Sequence, residues 1–91
     1  MNTDYASIEA MLNALWCETL RLPHVAPTDN FIDLGGNSLA AMRIATRVKD
    51  ACGIDVPMSV ILGDSTLREL TDAVFALVHP VVASGQGRAE A

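Results

Sequence analysis

Ser38 is the residue of this sequence best placed to do chemistry. It follows Gly35, Gly36 and Asn37 and opens an amphipathic stretch. Glycine takes positive φ freely and carries no side chain, so the Gly-Gly pair lets another active site close over the serine. A helix start offers unbonded N–H groups and the positive end of the macrodipole, a suitable setting for a phosphodiester. No base adjoins Ser38 in the sequence, so its hydroxyl reads as the acceptor of a transferred group rather than as an activated nucleophile. Taken alone, a serine at a helix start is also an ordinary N-cap.

Other chemistries fit the same residues poorly. Gly36-Asn37-Ser38-Leu39-Ala40 half-matches a hydrolase nucleophile elbow, but the last glycine is missing and the residues before it make a poor strand. A triad also needs a histidine held by a carboxylate, and the only histidines are His24, which precedes the serine, and His79. A calcium loop counted from Asp29 would put Leu34 at its sixth position and Ala40 at its twelfth, where glycine and glutamate are required. Asp29 and Asp33 read instead as loop and cap residues, with Asp33 a candidate helper of an incoming enzyme or its metal. Cys17 and Cys52 form no CxxC pair and have no histidine cluster, which excludes a zinc site.

The elements that must position Ser38 can be read from periodicity. Ile8, Leu12, Leu15, Thr19 and Leu22, with Met11 alongside, predict a helix over residues 4–22, capped by Thr3 or Asp4 and stopped by Pro23. Residues 23–37 are rich in turn formers and predict a long functional loop, anchored by Phe31, Ile32 and Leu34. Ala41, Ile44, Ala45, Val48 and Cys52 give the core stripe of a second helix over 38–52, with Gly53 as its left-handed cap. A short helix over 58–62 follows Pro57. Thr66 and Glu69 form a capping-box pattern for a last helix that runs to about His79, where Pro80 ends it. The fold class is therefore all-α: a four-helix bundle, three helices longer and one short, with a long first loop. Its core is expected to include Ile8, Leu12, Leu15, Ile44, Val48, Leu67, Leu70 and Val74. One domain spans 4–79, and 80–91 read as a flexible tail.

Composition narrows the function classes. A length of 91 residues, 51% of them hydrophobic, supports one packed domain. A net charge of −5 argues against nucleic acid and anionic lipid as partners. No run of 18 apolar residues exists to span a membrane, and the first twenty residues lack the pattern of a signal peptide. The expected setting is the cytosol.

Asp29-Asn30-Phe31, followed by Asp33-Leu34-Gly35-Gly36-Asn37-Ser38-Leu39, resembles the phosphopantetheine attachment motif of carrier domains. The likeness is nearest to peptidyl carrier proteins, or thiolation domains, of nonribosomal peptide synthesis. It extends over roughly residues 5–78, through Trp16 in the first helix, Arg47-Val48, Gly53-Ile54-Asp55-Val56-Pro57 and Thr66-Leu67-Arg68-Glu69-Leu70. Asn37 stands where the family often has His or Asp, and Leu62-Gly63-Asp64-Ser65-Thr66 stands where it often has Phe and Pro around the turn before the last helix. The resemblance implies that Ser38 takes a covalent 4′-phosphopantetheine arm from coenzyme A, with Gly35, Gly36 and Asn37 framing it. It implies a phosphopantetheinyl transferase, an adenylating loading enzyme, and condensation or tailoring enzymes as partners. The chain itself would be a monomeric, free-standing carrier without catalysis of its own.

Leu39, Met42 and Arg43 lie off the core stripe, near the start of the second helix. With Val60 and Ile61 opposite them, they are the candidate partner-docking residues; the plainer role for Leu39 and Met42 is to complete the core. The second helix holds Arg43, Arg47 and Lys49 against Asp50, a local charge of +2 in an acidic chain. This leans toward the peptidyl type, since fatty-acid carriers have an acidic second helix. The alternatives are an acyl carrier of a polyketide pathway and an unmodified helical interaction module.

Overall fold

The structure, a computed structural model, describes residues 3–63 and 65–80. Its helices are α1 (Tyr5–Leu20), α2 (Ser38–Cys52), α3 (Met58–Leu62) and α4 (Leu67–Val78). Helix α1 packs along α4 and α2, and α3 bridges α2 and α4. All eight expected core residues are buried, joined by Trp16, Val25, Phe31, Ala40, Ala41, Val56 and Ile61. The flexible-tail reading of 80–91 falls, apart from Pro80, outside the described residues. None of the helices described is long and apolar enough to cross a membrane.

Each helix start has a local cause. Asp4 caps α1 by accepting from Ser7 N at 2.8 Å. Thr66 and Glu69 form the reciprocal capping box of α4, at 3.1 and 2.8 Å. Thr66→Ala removes one half of that box and is expected to cost about 1 kcal/mol. A lower urea midpoint with an unchanged slope is the readout; an unchanged midpoint would deny the cap its role.

Helix α1 ends earlier than its apolar spacing suggests, and Pro23 does not stop it. Arg21 takes a left-handed conformation (φ 59, ψ 50), and Leu22 N returns to Cys17 O at 2.9 Å. A non-glycine residue pays on the order of 1 kcal/mol for such a conformation. The start of α1 is tied to the end of α4. Tyr5 donates to Asp72 and packs edge-on against Phe75, and the His79 ring meets the Thr3 carbonyl. The bond to Asp72 raises the Tyr5 phenol above its ordinary pKa, because ionisation would forfeit the donor.

Candidate functional site

The long loop is pinned at several points. Asn13 Nδ2 donates to the Val25 carbonyl at 2.8 Å, which fixes the loop's first part on α1. Further on, the backbone pairs with the start of α4. Arg68 N donates to Pro27 O (2.9 Å), Leu67 N to Asp29 O (3.1 Å) and Phe31 N to Ser65 O (3.1 Å). The first two satisfy orphan N–H groups of α4's first turn, and all three hold the loop against the bundle.

Phe31 is the buried anchor of this strap. It is fully buried and its ring lies 5.2 Å from that of Trp16. Of the other expected anchors, Leu34 is half-buried, but Ile32 is 47% exposed. The turn after Phe31 rotates Ile32 outward while its N–H bonds Asn30 Oδ1 at 2.9 Å. Asp33 N bonds the same oxygen at 3.2 Å, so Asn30 organises the turn. Asp33 itself points into solvent, and no cluster of three metal-binding side chains occurs among the described residues.

The two glycines do different work. Gly35 sits at φ 95 with open space where a side chain would be, so its role is conformational and it leaves room beside the serine. Gly36 instead packs inward. A Cβ there would stand 2.4 Å from two ring carbons of Phe31 and 2.7 Å from its carbonyl oxygen. Its absent side chain makes room for the protein's own core residue, not for a visitor. Gly36 N also donates to Phe31 O at 2.9 Å, closing the turn.

Asn37 then caps α2, its Oδ1 accepting from Ala40 N at 2.9 Å. Ser38 is the first helical residue, exposed, and its hydroxyl makes no hydrogen bond among the described residues. The cap is therefore Asn37, and the ordinary-cap role does not fall to Ser38. Among the described residues no base is hydrogen-bonded to the hydroxyl. His79 is engaged with Thr3 and Phe75 instead. An exposed hydroxyl at a helix start, without a hydrogen bond among the described residues, is open to accept a transferred group.

The chain matches the phosphopantetheine attachment site family over residues 11–74. It belongs to that family. This carrier domain is 37% identical over 81 residues to the probable non-canonical nonribosomal peptide synthetase CymA of Salinispora arenicola, covering 89% of this chain. It spans 1% of that synthetase's length. BlmI, a type-II acyl-carrier protein of Streptomyces verticillus involved in bleomycin biosynthesis, superposes with a TM-score of 0.74 at 35% identity, covering 79% of this chain and 87% of its own. A chain from the complex of the transferase Sfp with coenzyme A and a peptidyl carrier protein gives 0.69 at 28% identity, covering 74% and 87%. The domain is thus a carrier of the kind found in nonribosomal peptide synthetases, and its modification is phosphopantetheine. The residues present fit that group: the serine hydroxyl and the N–H groups of Ser38 and Leu39 make no hydrogen bond among the described residues, and Gly35 adds no side chain to the approach.

The expected docking residues are partly corrected. Leu39 and Met42 are 54% and 53% exposed, so they do not complete the core. Arg43 is exposed and Val60 half-buried. Ile61, in contrast, is 1% exposed and belongs to the core. In α3 it is the side chain turned inward, and it has no surface to offer a partner. The +2 charge of α2 is also redistributed. Arg47 pairs with Glu18 and Lys49 with Asp55, each at 3.3 Å, which leaves Arg43 as the unpaired cation of α2 among the described residues.

Proposed function

We propose that Ser38 is the attachment residue and that this domain is a peptidyl-type carrier which performs no catalysis itself. The observation that carries this reading is the Ser38 hydroxyl: exposed, without hydrogen bonds among the described residues, and placed on a helix start whose cap is supplied by Asn37. The arm's terminal thiol supplies a thioester tether for acyl or aminoacyl cargo. The chain's own residues hold the attachment oxygen still, keep it accessible through Gly35, and shape the surface around it. The carrier unit is taken as 4–79, in the cytosol, a setting that suits two free cysteines.

Its partners would be a phosphopantetheinyl transferase, an adenylating loading enzyme, and condensing or tailoring enzymes. The likeness to a carrier complexed with a transferase supports the first of these. Incubation with coenzyme A, magnesium and a broad-specificity transferase should raise the intact mass by one phosphopantetheine group, and fragmentation should place it on Ser38. A folded chain that gains no mass with several transferases would overturn this reading.

Leu39, Met42 and Arg43 are the residues we assign to docking, with Val60 beside them. Apolar side chains this exposed at the rim of an attachment site suit contact with a partner. Leu39→Glu and Met42→Glu should slow loading by the transferase at least tenfold with little change in thermal midpoint, because neither side chain is in the core. Unchanged loading rates would remove the assignment.

A further inference from the structure

A groove runs between α1 and α2, away from α3, and starts beside the attachment residue. Its near end is lined by Leu20, Arg21, Gly35, Asn37, Leu39 and Arg43. Thr19 and Arg43 are shared with a second basin, whose other walls are Glu18, Met42, Thr46 and Arg47. Two arginines, Arg21 and Arg43, line the near end, and neither is ion-paired among the described residues. The far basin takes its apolar character from residues with apolar parts, Met42, the threonines and the arginines with their methylene stems. The Arg47–Glu18 pair stands at its end.

Arg21 is in an odd place for an arginine. Its backbone is left-handed, where glycine or asparagine is the ordinary choice. A residue held in a disfavoured conformation at the edge of a groove calls for a use of its side chain. Resting on the carrier reading above, we propose that the groove is the docking place of the protein's own phosphopantetheine arm, with Arg21 and Arg43 facing its phosphodiester and the basin around Met42 receiving its outer part.

Charge and length agree with this occupant. Arginine is the side chain suited to phosphate oxygens, through its planar fork of donors. From Asn37 to Arg47 the helix advances about 15 Å at 1.5 Å per residue. The arm has about thirteen bonds from phosphorus to sulfur, which at the reach of an extended backbone span about 15 Å. Cargo on a docked arm lies along the bundle until a partner draws it off.

The test uses a coenzyme A derivative with a nitroxide on its thiol, transferred enzymatically so that Cys17 and Cys52 stay unlabelled. Loading is first verified by intact mass. Amide spectra before and after reduction of the nitroxide should then show strong signal loss at Glu18, Thr46 and Arg47, and several-fold weaker loss at Val60 and Ile61. Arg21→Gly suits the left-handed backbone and removes the guanidinium; it should keep the fold and even out the pattern. Arg43→Gln should act in the same direction. Loss that is even around α2, or centred on its α3 side, overturns the groove while leaving the carrier reading intact. So does a pattern that Arg21→Gly does not change. A parent that takes no label overturns the carrier reading, and this proposal with it.

Discussion

Ser38→Ala is expected to abolish the mass gain completely and to leave the stability of the domain within about 0.5 kcal/mol. Chemistry and folding are separable at this position for a definite reason. The hydroxyl has no hydrogen bond to lose, and the cap of α2 belongs to its neighbour Asn37, whose Oδ1 accepts from Ala40 N. Alanine is also at least as good as serine inside a helix. The pair of measurements is intact mass after transferase treatment and the urea midpoint of the unmodified protein. A variant that still gains the arm would move the attachment site to another hydroxyl. A variant that loses a kcal/mol or more would make Ser38 part of the helix's structure.

Phe31→Ala should have the largest effect on stability, about 3–5 kcal/mol. That is a large part of the 5–15 kcal/mol typical of a whole domain. The ring is fully buried against Trp16 and forms the wall onto which Gly36 closes. Its removal leaves a cavity and frees the turn that carries Asn37. Chemical denaturation should show the loss of stability, and whatever folded fraction remains should load more slowly. Phe31→Leu refills most of the volume and should recover much of both. If Phe31→Ala kept the parent's stability, the strap would be a passive loop and the aromatic pair would not be the base of the site.

Much of this architecture is legible in sequence because its signals are local. Ser38 and Gly53 bound α2 as expected, since a cap and a left-handed glycine act within a few residues. The capping box of α4 is legible for the same reason. The face of α3 is not: five residues give little more than one turn, and Ile61 cannot be told from Val60 by spacing. The end of α1 was hidden because Arg21 adopts a conformation its residue type disfavours, while Pro23 offers a plausible stop two residues later. The roles of Trp16 and Arg21 at the site depend on parts of the chain that sequence distance does not relate. An aromatic in each of two segments is a weak sign of the Trp16–Phe31 pair, and nothing in the sequence brings Arg21 to Arg43.

The strap has a consequence for the order of events in the making of this protein. Phe31 bonds Ser65, Asp29 bonds Leu67 and Pro27 bonds Arg68, so the platform under the serine is joined to residues more than thirty positions downstream. Contacts of such separation carry the greater loop-closure cost and do not form ahead of local helices. A nascent chain therefore displays its serine long before it has a finished site. Ribosomal synthesis must pass Arg68 before the platform can close, so on the proposed reading the finished site is available to a transferase only in chains made past that residue.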